Sequence, residues 1–280
     1  LIGKNYTLLK QMHLLDIVSF STSSENQCKV RGPSDSIEIE SGAVLRFARI
    51  LVRNYYVITL LFPPNLRFQF SPHDATRFPR FDPKLSPSQM FQFSYNANCS
   101  YYNTSYCHDV TRFFHKMVVQ GNGIADLCHL PASVIEANLG DPIQLRPLFA
   151  AFIFCPIIFG ISIRNIARPD IALSLAPLIS ANSDIRFIAF PFCQVENGAA
   201  MIAKAIENNP GNGVVYWDLS YNNLKDIGAF CSALSLTKAP VFYLNLDCSG
   251  LNEQATEILI RSISSNTKLW EIRYLSLRGA

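Results

Sequence analysis

The feature that most constrains this chain is an apolar spacing that recurs at nearly constant intervals. Residues 214–224 read VVYWDLSYNNL, with Val214, Trp217, Leu219 and Leu224 apolar and Asn222 between the last two. Twenty-nine residues earlier, Ile185, Ile188, Phe190 and Val195 fill the same slots, with Cys193 in place of the Asn. Twenty-seven residues later come Val241, Leu244, Leu246 and Leu251, with Ser249 in that place. Ile272, Leu275, Leu277 and Ala280 close the series, and Ile158, Ile161 and Ile163 precede it. A weaker copy, Leu130, Ile135 and Asn138 with Ser133 in an apolar slot, stands first. The central slots are then 133, 161, 188, 217, 244 and 275, at intervals of 28, 27, 29, 27 and 31. A single match would carry little weight in a chain that is 49% hydrophobic. The constant interval carries the inference.

The slots spell the L-x-x-L-x-L-x-x-N-x-L pattern of a leucine-rich repeat of the long class. Alternate residues of a short strand point inward, and the Asn side chain bonds backbone groups where the chain turns away. The interval leaves room for a helix after each strand, which predicts an α/β solenoid with parallel strands on a concave face and helices outside. Helices are expected to begin at Asp141-Pro142, an N-cap followed by Pro at the first helical position, and to run over residues 169–181, 197–208, 226–236 and 252–265. Asn182, Asn208-Asn209 and Asn266 are expected to close helices in the left-handed conformation. A helix over 109–119, ending at Gly121-Asn122-Gly123, is placed as the cap of the first unit. Residues 145–163 are apolar enough to suggest a membrane span, but Arg146, Pro147, Pro156 and Gly160 interrupt them. The register assigns them instead to a buried helix, a turn and the strand of Ile161.

Upstream the period differs. Residues 1–42 read as short strands, with Leu15 and Ile17 in one, Ile37 and Ile39 in another, and a turn at Gly32-Pro33-Ser34. Val44, Phe47, Ala48, Leu51, Tyr55 and Ile58 then follow helical spacing, with Arg46, Arg49 and Arg53 on other faces, until Pro63-Pro64 stops the helix. Strands closed by one amphipathic helix suggest a partial pleckstrin-homology-like β-barrel over 1–62. Residues 63–106 are rich in Pro, Ser, Asn and Tyr without a sustained period and are read as a linker packed on its neighbours. The solenoid then occupies 107–280.

No catalytic constellation appears: there is no P-loop, G-x-S-x-G, H-E-x-x-H or dinucleotide fingerprint. The chain is therefore read as no enzyme, with no cofactor. Cys107-His108, His115 and Cys128-His129 match no zinc spacing and are read as structural thiols and surface histidines. The net charge of +3 is too small to suggest nucleic acid as a partner. Eight dispersed cysteines with no C-x-x-C pair read as reduced thiols of an intracellular protein. Three sequons, at Asn5, Asn98 and Asn103, support the alternative of an extracellular or cell-surface leucine-rich-repeat recognition domain. What the repeats offer is a surface. Phe187, Tyr216, Tyr243 and Tyr274 stand one place before successive central slots and should form an aromatic ladder flanked by Asp218, Asn245 and Asp247. Aromatic residues are enriched where proteins bind one another, and cross-strand stacking that merely stabilises the sheet is the competing reading.

The order of parts resembles the CARMIL family, linkers of actin capping protein, the actin-nucleating Arp complex and myosin I. VLRFARILVRNYYVITLLFPPN (44–65) resembles that family's C-terminal barrel helix, with Pro64 where the family has Gly. VIEANLGDPIQLRPLFAAFIFCPIIFGISIRNI (134–166) resembles its first repeat, and GNGVVYWDLSYNNLKDIGAFCSAL (211–234) a later one. The resemblance implies a pleckstrin-homology-like domain, a linker and repeats of the ribonuclease-inhibitor type, with the first barrel strands missing and the solenoid truncated. It implies a non-catalytic, membrane-associated actin-regulatory scaffold in the cytoplasm at the inner face of the plasma membrane. The solenoid would scaffold partners or self-associate as a homodimer, and the family's capping-protein-binding tail would lie beyond Ala280. Residues 1–90 carry eleven Lys and Arg against seven Asp and Glu. Lys4, Lys10, Lys29, Arg31, Arg46 and Arg49 are the candidates to face anionic membrane lipids.

Overall fold

The computed structural model describes residues 10–79, 81, 83–136 and 142–279. They form a mixed α/β structure in two compact units that divide between Asn103 and Thr104.

In the first unit, β1 (Ser19–Thr22), β2 (Gln27–Arg31) and β3 (Ser36–Glu40) form an antiparallel meander. Cys28 pairs with Ile39, Val30 with Ile37, and Phe20 with Val30. Strand alternation puts these apolar residues on one face and Lys29, Arg31 and Glu38 on the other. The helix α1 (Val44–Ile58) covers the apolar face with Val44, Ala48, Leu51, Val52 and Tyr55.

Residues 63–106 prove to be more than a linker. β4 (Gln69–Phe70) pairs parallel to β1, and α2 (Pro72–Arg77) and α3 (Pro87–Tyr101) follow. Burial of aromatic area explains the difference. Phe68 and Phe78 enter the same core as Phe20, whose ring centroid lies 6.4 Å from that of Phe68 and 5.7 Å from that of Phe78. The Phe68 amide donates to the Tyr55 hydroxyl at 2.9 Å. Asp74, fully buried, accepts from the Thr22 amide at 3.1 Å, the Thr22 hydroxyl, and the Ser71 hydroxyl at 2.8 Å. That carboxylate ties α2 to β1.

The second unit opens with α4 (His108–Val119), as expected from its apolar stripe of Val110, Phe114 and Met117. Six three-residue strands then line up side by side in chain order, all parallel: β5 (Ile124–Asp126), β6 (Gly160–Ser162), β7 (Phe187–Ala189), β8 (Tyr216–Asp218), β9 (Tyr243–Asn245) and β10 (Tyr274–Ser276). Ile161, Ile188, Trp217, Leu244 and Leu275 are their paired central residues, at the slots read from sequence. The intervening helices are α6 (Leu145–Phe152), α7 (Ile171–Ala181), α8 (Ala199–Asn208), α9 (Ile227–Ala233) and α10 (Glu253–Ser265), each packed on the next. No helix among the described residues is long and apolar enough to cross a membrane. Residues 145–163 are accordingly divided between α6, a turn and β6.

The first strand departs from the expected register. β5 centres on Ala125, not Ser133, so the first interval is 36 residues rather than 28. Residues 132–135 form a short helix, α5 (Ala132–Ile135), with Pro131 at its N-cap. A central Ala gives a weak apolar signal, and the stronger run from Leu130 to Ile135 mimics the pattern in its place. The expected cap at Asp141 and the slot of Asn138 lie outside the described residues. α6 itself starts at Leu145.

The helix-closing asparagines also work differently from expectation. Asn182 and Asn266 are extended, not left-handed, and close their helices with side-chain bonds to the preceding strand–helix unit. Asn182 Nδ2 donates to the Ile153 carbonyl at 2.6 Å, Asn209 Nδ2 to that of Ile179 at 2.9 Å, and Asn266 Nδ2 to that of Leu234 at 3.1 Å. Four left-handed residues, Asn165, Phe192, Tyr221 and Cys248, sit four places after strand centres, and Gln194 is a further one in the second unit.

Candidate interaction face

Helices cover one face of the six-stranded sheet, and the residues flanking each central slot point to the other. Strand neighbours lie about 4.8 Å apart, so rings at equivalent positions must stack. Phe187 and Tyr216 stack at 4.2 Å between centroids, Tyr216 and Tyr243 at 3.9 Å, and Tyr243 and Tyr274 at 4.3 Å, with interplanar angles of 21°, 8° and 4°. The rings hide their faces on one another and present edges and hydroxyls. Gly160 ends the row: a Cβ there would lie 2.9 Å from that of Phe187. At the other end Tyr274, on the last described strand, is exposed.

Burial in the row raises the pKa of both the Tyr216 and Tyr243 phenols. The charge of Asp218 adds to the rise at each of them. Asp218 stands half-buried beside the ladder. Its Oδ1 accepts from the Ser220 hydroxyl at 2.6 Å and the Ser220 amide at 3.1 Å. Asn245 turns its Oδ1 to the Asp247 amide at 3.1 Å. Asp247 does not belong to the face. It is buried, and its Oδ1 accepts from the Ser276 hydroxyl and the Arg278 amide, each at 2.6 Å, which ties β9 to β10.

A second stack was not read from the sequence. Phe192 and Tyr221 lie 3.9 Å apart at 10° and are about half exposed. Both adopt positive φ, near 55°, where bulky residues are uncommon. Their signal was available: each stands four places beyond a central slot, beside the Asn position. The second unit therefore carries two aromatic stacks, with Asp218 and the buried Ser220 between Tyr216 and Tyr221 along the chain. At the β5 end, Asp126 accepts from the Arg164 guanidinium at 2.7 Å. Burial opposes the charge on Asp126, but Arg164 and Cys128 hold its carboxyl below the usual range.

The basic residues of the first unit do not form one surface. Lys10 pairs with Asp35 at 3.0 Å and Lys29 with Glu38 at 2.6 Å. Arg31 is on the outer face of the sheet, whereas Arg46 and Arg49 are exposed on α1, which covers the opposite face. Lys4 and the Asn5 sequon lie outside the described residues. Asn98 is buried and donates to the Ser94 carbonyl at 2.9 Å, so its sequon presents no accessible amide, whereas Asn103 is exposed.

All eight cysteines are free thiols. Burial pushes the Cys193 and Cys231 thiols up to about 12, which leaves them protonated near neutral pH. Among the described residues no group of three or more His, Cys, Asp or Glu is placed to hold a metal ion. No protein-family model matches the sequence, and no curated protein matches it.

Proposed function

We propose that the chain is a non-catalytic interaction scaffold, with a leucine-rich-repeat solenoid of the ribonuclease-inhibitor type behind a partial pleckstrin-homology-like domain. A protein partner docks on the tyrosine-bearing face of the six-stranded sheet. The observation that carries this reading is the pair of aromatic stacks on either side of Asp218 along the chain. They leave ring edges, hydroxyls and one carboxylate oxygen directed away from the helices. A partner's basic side chain, its stem against the tyrosine edges and its charge on Asp218, matches that chemistry. The order of parts points to the actin-assembly pathway, so actin capping protein, the Arp complex and myosin I are the candidates to test first.

The test is binding of each purified candidate to the full chain and to Asp218→Lys, whose fold is checked by circular dichroism. Binding to the native chain and its loss in Asp218→Lys are expected. No binding of any candidate to the native chain, or equal binding to both proteins, would overturn the reading.

Membrane attachment is proposed to run through α1, where Arg46 and Arg49 share an exposed stripe with no carboxylate paired to either among the described residues. Binding to vesicles containing phosphatidylserine should fall with added salt and fall further in Arg46→Glu/Arg49→Glu. Salt-independent binding would exclude this arm of the reading.

A further inference from the structure

The free edge of the first unit's sheet has chemistry that selects a particular strand. β3 and β4 are the outer strands of this sheet among the described residues, and on the β3 side the Lys10 ammonium donates to the Ser36 carbonyl at 2.9 Å, leaving Glu38 and Glu40 beyond it. An unpaired edge offers a row of backbone donors and acceptors to another chain. Behind that edge, between β3 and α1, lies a largely apolar cavity of about 440 Å³, walled by Met12, Leu14, Ile37, Ile39, Phe47 and Ile50. Phe47 and Ile50 remain exposed on α1, so the helix carries more apolar surface than its own core covers. The outward face of β3 is acidic, with Glu38 and Glu40 both exposed. No cation pairs with Glu40 among the described residues.

The strand already paired to β3 shows what this chemistry accepts. β2 sets Cys28 against Ile39 and Val30 against Ile37 on the inner side, and Lys29 against Glu38 on the outer side, with the ion pair at 2.6 Å. It alternates apolar and basic residues. We propose that the free edge of β3 binds an extended peptide of the same alternation, presented by a partner protein and added as a fifth strand. Its apolar side chains enter the cavity between Ile37, Ile39, Phe47 and Ile50. Its basic side chains meet Glu38 and Glu40 across the strand, and its backbone completes the ladder. This is strand addition, in which backbone bonds supply affinity and alternate side chains supply specificity.

The experiment titrates the full chain against fluorescein-labelled Lys-Val-Lys-Val-Lys, followed by anisotropy. Comparison peptides replace every Lys by Glu, or carry N-methyl groups on alternate amides. Hydrogen exchange over residues 36–40 is read in parallel. The basic peptide should bind and slow exchange there, and both comparison peptides should bind worse. Glu40→Lys, a change at an exposed position, should weaken the basic peptide by about fivefold, the scale of one cross-strand charge pair. Equal binding of the acidic peptide would overturn the charge argument. Equal binding of the N-methylated peptide would show a groove for side chains alone and overturn strand addition. Unchanged affinity in Glu40→Lys would place the site elsewhere.

Discussion

The two units differ in how their buried polar side chains join distant segments. In the first, one buried carboxylate, Asp74, makes the longest reach, joining Thr22 on β1 to Ser71 at the start of α2, while Thr59 and Asn98 bond carbonyls within their own helices. The second distributes them over many side chains, several of which reach back to the preceding strand–helix unit. Asn222 is the fullest case. Its Oδ1 accepts from the Cys193 and Val195 amides, and its Nδ2 donates to the Phe190, Leu219 and Ser220 carbonyls. Asp226 accepts from the Ala199 and Ala200 amides at the start of α8 in the same backward sense. Each unit of the second body is thus coupled to its neighbour, as in quasi-one-dimensional stacks. In the first body β1 and α2 depend on one carboxylate.

Removing Asn222 should have the largest effect. Asn222→Ala would strip partners from buried amides and carbonyls that no water reaches, at a cost of about 3–5 kcal/mol. The loss should appear as faster amide exchange in the units centred on 188 and 217. Protection of residues 19–31 should stay unchanged. Equal loosening of both bodies would refute the division drawn here.

Asp74→Ala should come next, at about 2–4 kcal/mol, since three donors lose a charged acceptor. Burial opposes the charge on Asp74, but the hydrogen bonds from Thr22 and Ser71 outweigh it and hold its carboxyl below the ordinary range. Its folded pKa is depressed, so its contribution is present above the ordinary carboxylate value near 4 and is lost as pH falls through the lower folded value. Acid titration followed by exchange over residues 19–22 should therefore show loosening below about pH 4. The Asp74→Ala variant, already loosened, should show a smaller change over that range.

How far the sequence reveals each body follows from the same contrast. Repetition makes the second body readable. The centres at 161, 188, 217, 244 and 275 recur because each strand repeats one packing problem. Departures arise where that logic lapses, at Ala125, which is too small to stand out, and at the short helix after Pro131. In the first body, periodicity shows β3 and α1, whereas the strand expected around Leu15 and Ile17 is a single 3-10 turn over Leu14–Asp16, with β1 starting only at Ser19 and β2 unread. Periodicity cannot show that Phe68 and Phe78 close the core, because isolated aromatics in a Pro-rich stretch have no period. Ser86, Pro87 and Gln89 did hold a readable start signal for α3, a capping box with Pro at the first turn. On the candidate face, the ladder of Phe187, Tyr216, Tyr243 and Tyr274 was legible from register. Burial of Asp247 was not, since register places a residue on a face without saying what reaches over it.

A smaller effect distinguishes stacking from binding on that face. Tyr243 lies between two rings, so Tyr243→Ala should lose two stacked contacts, about 1–3 kcal/mol. Tyr274 makes one such contact and is exposed at the end of the row. Tyr274→Ala should cost about 0.5–1.5 kcal/mol, measured as a shift in the urea midpoint with unchanged slope. The difference between the two variants isolates one ring pair. If the row serves only the sheet, loss of partner binding should follow this order of stability loss. If the row is a docking face, Tyr274→Ala should weaken binding by more than its small destabilisation accounts for. Tyr274→Phe, which keeps the stack and removes only the hydroxyl, then reports whether the edge or the phenol makes the contact.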